Sequence, residues 1–303
     1  MKADRFGAVL VIFSAIAFSA KAIFVKLAYA VTGPVPRVDP VTLLTMRMLL
    51  ALPLFAVIGW WASRQIGYRL NRRDWLALVA IGLMGYYGAS LLDFWGLQYI
   101  SAALERLILF LNPTIVVLIS AAFIGYRIVS RDLFALLVSY AGIVLVFMHD
   151  LRSSDMVLVG GGLVLASAVL YAGYLVSAGQ MIKRVGAVRF AAYASIISTI
   201  AITIHCVATQ GIATLQQQPS QVWSLAGWMA IVSTVLPVVM MSEGMRRVGS
   251  SNAAMMSSIG PIATIFMGYF FLDEPITLIQ LVGAALVTVG VLAISLKPAT
   301  RKE

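Results

Sequence analysis

The sequence predicts an all-α integral membrane protein: ten transmembrane helices in two inverted five-helix repeats around a central cavity. Three observations predict it. Of the 303 residues, 61% are hydrophobic and only 11% charged, with a mean hydropathy of +0.96; ordinary globular chains hold about 45–50% apolar and about 25% charged residues. The apolar residues fall into ten runs of about 20, the length that crosses a ~30 Å hydrocarbon core. The later part of the chain also repeats the pattern of the earlier part. Only helices or closed barrels satisfy the backbone in lipid, and these runs are too long for barrel strands.

Span one, 6–30, follows "MKADR" and ends in "AYA", which imitates a signal peptide. Lys21 and Lys26 interrupt its apolar stretch and it is too long, so it reads as an uncleaved span. Span two, 41–62, ends on Trp60 and Trp61, and span three, 75–93, begins on Trp75; with Trp95 and Trp223 these read as interfacial belt residues. Tyr86, Tyr87 and Ser90 lie midway along span three. Span four, 101–124, opens with Glu105 and Arg106 and carries Pro113 in its middle. Span five is 132–148. Span six, 156–180, holds "GGG" at 160–162, small residues suited to helix contact, and Tyr171 and Tyr174 one turn apart on one face. Span seven, 188–208, has His205, read as structural, beside the single cysteine, Cys206. Span eight, 222–242, places Trp228 deeper than Trp223. Span nine, 251–272, has Ser257 and Ser258 ahead of Pro261, and span ten is 276–296.

The charges orient these spans. One set of connections carries Lys2, Arg5, Arg64, Arg69, Arg72, Arg73, Arg127, Arg131, Lys183, Arg184, Arg189, Arg246, Arg247, Lys297, Arg301 and Lys302. The alternate set carries Arg37 and Arg152 but also Asp39, Asp150, Asp155, Asp273 and Glu274. The positive-inside rule then puts both termini in the cytoplasm, and an even number of spans requires them on one side. The net charge of +10 is thereby used in membrane orientation, and it does not point to nucleic acid.

A shift of 148 residues aligns 75–142 with 223–290 without a gap. Trp75 falls on Trp223, Gly96 on Gly244, Pro113 on Pro261, Phe123 on Phe271 and Gly142 on Gly290. The first span matches the sixth less firmly, "AFSAK" (17–21) against "LYAGY" (170–174). The halves are therefore 1–150 and 151–303, and five spans each means opposite insertion. Such inverted repeats characterise secondary transporters, with the solute at mid-membrane near discontinuous helices. Pro113 lies ~18 Å in from the outer end of span four at 1.5 Å per residue, and Pro261 is its counterpart. Each removes a backbone donor, so the pair either marks the binding site and its gating breaks or merely kinks two helices for packing.

At this point the chain resembles the drug/metabolite transporter superfamily, and within it the ten-helix EamA-type members. The resemblance spans essentially the whole chain. It rests on the two five-span halves, on "SAALERLILFLNPTIVVL" (101–118) with its partner "SSNAAMMSSIGPIATIF" (250–266), on "FFLDEPIT" (270–277) and on Arg47 early in span two. One departure is Tyr126, where the first-half copy of the signature usually has an acid. The resemblance implies a basket of helices whose cavity is lined by spans one, three, four, six, eight and nine. It also implies export of amino acids or other metabolites, with aromatic exporters placing aromatic residues where this chain has Phe18, Phe110 with neighbouring Asn112, Tyr171 and Tyr174.

Lys21 is the most informative single residue, ~22 Å into the bilayer from the cytoplasmic side. A charge there is costly and faces a cavity or a partner. It either attracts a solute carboxylate or titrates, or it is a packed and carboxylate-paired lysine. Lys26, further out, is expected to snorkel. Asp93, Glu105, Glu243, Asp273 and Glu274 read as lying near span ends, with Glu105 and Arg106 at the headgroups. A central lysine without a central acid favours an anionic or zwitterionic small-molecule substrate over lipophilic cations. The remaining cavity candidates are Tyr86, Tyr87, Ser90, Trp228 and Ser258. No H-E-x-x-H or G-x-S-x-G pattern occurs, and the two histidines are 56 residues apart, so the reading calls for no enzyme chemistry, metal or cofactor. A channel or scaffold is the less favoured alternative. A ten-helix unit with its own internal twofold can work as a monomer.

Overall fold

The computed structural model describes residues 4–31, 38–65, 68, 70–151 and 156–295. Lys2, Arg37, Arg69, Arg152, Asp155, Lys297, Arg301 and Lys302 of the charge pattern lie outside them. Among the described residues ten helical runs are long and apolar enough to cross a membrane, Arg5–Ala30, Pro40–Gln65, Arg72–Gly96, Ala102–Phe123, Ser130–Leu151, Met156–Gly179, Ala187–Thr209, Ser220–Val248, Met255–Leu272 and Leu278–Ser295. These are spans one to ten, and the molecule is a multi-pass membrane protein. A short helix at Ala213–Gln217, not anticipated from the sequence, fills the connection between spans seven and eight.

The helix starts have local causes. Asp4 accepts hydrogen bonds from the Phe6 and Gly7 N–H groups ahead of span one. Asn71 and Asp74 form a reciprocal capping box at span three, and Ser101 caps span four through the Leu104 N–H. Each satisfies donors that a helix N-terminus leaves unpaired. Gly125, at φ 75°, ends span four and Gly249, at φ 84°, separates spans eight and nine, conformations that cost glycine little.

The spans pack in exchanged pairs. Span one lies on spans eight and nine, span six lies on spans three and four, span two pairs with seven and span five with ten. The close crossings use glycines at corresponding places. A Cβ on Gly244 would stand 2.6 Å from Val11 and 3.2 Å from the Gly7 carbonyl oxygen, while one on Gly96 would stand 2.8 Å from the Gly160 oxygen. Gly160 and Gly161 of the glycine triplet are packing residues as expected, whereas nothing approaches Gly162 within 4 Å.

Spans three and eight each contain a π-helical segment, Leu83–Gly88 and Ile231–Val235, and their first residues are 148 apart. Such segments concentrate at functional sites. Just beyond each, the other half of the chain supplies a hydroxyl to a backbone carbonyl. Ser14 donates to the Pro237 oxygen at 2.8 Å and Ser167 to the Ala89 oxygen at 2.7 Å. Spans four and nine are broken, as the prolines predict. Leu111 forms the turn between Ala102–Phe110 and Asn112–Ile124; Ser258 forms the turn between Ser250–Ser257 and Ile259–Leu272.

The ends of the bundle differ. One carries Arg5, Arg64, Arg72, Arg73, Arg184, Arg246 and Arg247; the other carries Asp39, Asp150, Asp273 and Glu274. In the acidic-end half the apolar contacts form two large clusters. One, including Val25, Leu43, Phe94, Leu97 and Met229, joins spans one, two, three, seven and eight. The other, including Leu104, Val146, Val164 and Ala284, joins spans four, five, six, nine and ten. In the basic-end half the apolar contacts split into separate groups, one around Leu78, Met181 and Phe190, another around Phe55 and Ala192.

Candidate functional site

Beneath the acidic-end clusters lies a cavity of about 300 Å³ lined by Phe18, Lys21, Arg47, Met48, Gly85, Tyr86, Ala89, Ser90, Asp93, Arg106, Leu109, Phe110, Asn112, Ser167, Tyr171, Ser233, Thr234 and Val238. Its walls come from spans one, two, three, four, six and eight. Span two therefore takes the place expected of span nine in the lining. Both π-helical segments contribute, through Gly85 and Tyr86 on one side and Ser233 and Thr234 on the other. The break in span four adds Phe110 and Asn112.

Of the residues singled out from the sequence, Phe18, Lys21, Tyr86, Ser90, Phe110, Asn112 and Tyr171 line this one cavity. Four others do not. Tyr87 turns away to hydrogen-bond His205 Nδ1 at 2.9 Å. Tyr174 is buried behind the wall, stacked on Tyr171 at 5.3 Å and pressed against Gly85, where a Cβ would meet it. Trp228 is 57% exposed on the outside of the bundle. Ser258 donates to the Met255 carbonyl at 2.6 Å, closing the turn in span nine. For Tyr87, Tyr174 and Trp228 the depth along the helix was right but the face was wrong, since consecutive helical residues point 100° apart.

The charges require the larger correction. Asp93 and Glu105 are not at the headgroups; they are 3% and 1% exposed. Lys21 Nζ stands 2.5 Å from Asp93 Oδ2 and 2.7 Å from Glu105 Oε1. The physical reason is the turn between spans three and four. Leu97 and Ile100 within it are buried, and Lys26 reaches back to donate to the Ile100 oxygen at 2.7 Å. The tip of the hairpin, Gln98 and Tyr99, is exposed, while the helix residues Asp93 and Glu105 on either side of it are covered by protein. Lys26 likewise does not snorkel to water, because it also pairs with Glu274 at 3.4 Å.

Two cations of the cavity lack such partners. Arg47 is 6% exposed; its guanidinium lies 5.0 Å over the Phe94 ring and makes one long contact, 3.7 Å, to the Met48 sulfur. Arg106 forms no salt bridge with any described carboxylate, and the Nε atoms of both arginines are buried without a hydrogen-bond partner. Asp93 Oδ1 and Asn112 Oδ1 are acceptors in the same condition. Three cations thus face two carboxylates around a space the size of a small metabolite. Ser167, Ser233 and Thr234 were not singled out in advance, although the 148-residue register that pairs Tyr86 with Thr234 could have found the last two. Asp93 and Glu105 could have been placed beside Lys21 by asking what balances its charge. No group of histidine, cysteine and acidic side chains among the described residues could hold a metal ion.

The pattern of the EamA-like transporter family matches residues 5–148 and 158–296. An uncharacterized transporter of Bacillus subtilis, YcbK, is 31% identical over 283 residues, covering 91% of this chain and 88% of its own. A second from the same organism, YyaM, is 23% identical over 74% of each chain, and an uncharacterized transporter of Archaeoglobus fulgidus is 22% identical over 84% of this chain and 87% of its own. A crystal structure at 19% identity superposes with a TM-score of 0.63 over 96% of this chain and 98% of that one, which speaks for the fold.

Proposed function

The chain belongs to the EamA-like transporter family, and from that premise we propose that it is a secondary transporter exporting a small carboxylate-bearing metabolite by alternating access. Amino acids, aromatic ones among them, are the first candidates; other organic anions are the alternative. The observation that carries the reading is the excess of cations over carboxylates around a central cavity that also presents Phe18, Tyr86, Phe110 and Tyr171. A desolvated solute carboxylate meets unpaired guanidinium groups there, and an apolar or aromatic body meets rings.

In this reading the halves are 1–150 and 151–303, the termini and the basic end face the cytoplasm of a bacterial inner membrane, and a monomer suffices. The packed acidic-end clusters then close the outer side. Glu274 reinforces that closure by bridging Lys26 and the Ala102 N–H at the start of span four, 3.4 Å and 3.2 Å away. Transport requires that this side loosen while the loosely joined clusters of the basic end come together. The breaks at Leu111 and Ser258 supply backbone that can change without disrupting a continuous helix.

Counterflow of labelled phenylalanine into proteoliposomes tests the reading. Saturable uptake driven by unlabelled internal solute is expected. Non-saturating flux would replace the carrier with a channel, and no uptake would reject phenylalanine in favour of other organic acids tested in the same way.

A further inference from the structure

We propose that Arg106, seated on Gly260 at the break in span nine, is the side chain that receives the anionic group of the solute, with Arg47 as the second cation, and that Lys21 positions the site without binding solute. The inference rests on the transporter reading above. It assigns roles that the sequence left with Lys21.

The first argument is charge accounting within the cavity. The ammonium of Lys21 is already engaged by Asp93 and Glu105 at 2.5 and 2.7 Å. A solute carboxylate at Lys21 would have to displace one of these or approach both. Arg106 and Arg47 carry no such partner, and a guanidinium offers a planar fork that matches a carboxylate with two parallel hydrogen bonds. A buried cation without a counter-charge is a costly arrangement, so an incoming anion gains most there.

The second argument is shape. A Cβ on Gly260 would stand 2.7 Å from Arg106 Nη2 and 3.3 Å from both Arg106 Nε and Ser19 Oγ. Ser19 in turn donates to the Gly260 oxygen at 3.0 Å. Spans one and nine together form a seat for the guanidinium, and only a residue without a side chain leaves that seat free. Its first-half counterpart under the 148-residue shift is Asn112, which lines the cavity directly. The break in span nine therefore reaches the solute through Arg106, which explains why it does not line the cavity itself.

The test uses the full-length protein in detergent and in proteoliposomes, with phenylalanine, 3-phenylpropanoate and phenylalaninamide as probes. Native protein should be stabilised by the acids and should prefer them to the amide. Arg106→Gln should lose that preference by about tenfold to a hundredfold, the range of a charge-assisted hydrogen-bonded pair. Gly260→Ala keeps every charge but moves the guanidinium, and should reduce the preference severalfold. Arg106→Lys should fall between, and it carries the test together with Gly260→Ala if Arg106→Gln does not fold. If these variants keep the native preference for acids over the amide, the assignment is overturned while the carrier stands. If native protein neither binds nor moves phenylalanine or 3-phenylpropanoate, the carboxylate-transport reading fails for these solutes and the assignment with it.

Discussion

The two halves of the molecule share their backbone devices but not their charges. Each has a π-helical segment in its third span, a serine reaching across to the other half, a glycine crossing and a proline-linked break in its fourth span. Yet all five charged residues of the central cluster come from the first half. The 148-residue shift places Met241 opposite Asp93, Ala253 opposite Glu105 and Ala254 opposite Arg106, and the weaker match of the first and sixth spans sets Tyr174 opposite Lys21. The second half contributes Ser167, Tyr171, Ser233, Thr234 and Val238 to the cavity. What is duplicated is the backbone scaffold around the cavity; what is single is the set of buried charges. In the transporter reading proposed above, a single charged pole would give a solute one orientation in the cavity.

The most damaging way to break this asymmetry is at Lys21. Lys21→Ala leaves two buried carboxylates without their cation, and removing one partner of a buried ion pair costs about 3–5 kcal/mol. A large drop in the unfolding midpoint of the detergent-solubilised protein is expected. Replacing the whole triad by neutral residues, Lys21→Met with Asp93→Asn and Glu105→Gln, should recover most of that stability, because the desolvation of the charges disappears with them. Loss of transport in Lys21→Ala is therefore ambiguous by itself, and the neutral triple variant resolves it. If the triple variant is as unstable as Lys21→Ala, electrostatics is not what holds this cluster.

The fold was largely legible in the sequence because it rests on signals that survive in one dimension. Run length gives the spans, and a proline in a long apolar run gives a break. The site was half legible. Ser90 is legible from its depth in span three, and Phe18 and Asn112 from the family resemblance, whereas Tyr87 and Trp228 point away from the cavity. The misreading of Asp93, Glu105 and Arg106 came from equating the end of a helix with the surface of the membrane. Two clues were present: the turn 97–100 carries Leu97 and Ile100 rather than only polar residues, and a lone mid-span lysine demands a counter-charge.

The glycine crossings allow the duplicated part to be probed at intermediate cost. Gly96→Ala and Gly244→Ala each force a Cβ into the opposing span, and overpacking of this kind costs about 1–3 kcal/mol. Gly96 should be the more sensitive, because its Cβ would meet the Gly160 backbone oxygen at 2.8 Å, against 3.2 Å from Gly7 for Gly244. Unfolding midpoints of the two variants would check both the size and the order. A reversed order would mean that the two crossings are not equivalent supports.

The finest separation of scaffold from site comes from the two cross-half serines. Ser14→Ala and Ser167→Ala each remove one hydroxyl from a carbonyl beside a π-helical segment, a loss of about 1 kcal/mol for a neutral buried hydrogen bond. As members of a duplicated device they should destabilise the protein about equally. As parts of the cavity they should differ, because Ser167 is in the wall and Ser14 is not. Solute affinity, read from the concentration dependence of counterflow, should therefore shift in Ser167→Ala and stay native in Ser14→Ala. Equal shifts in affinity would show that the π-helical segments govern solute binding through the motion of the bundles, and the division between a shared scaffold and a one-sided site would have to be redrawn at those segments.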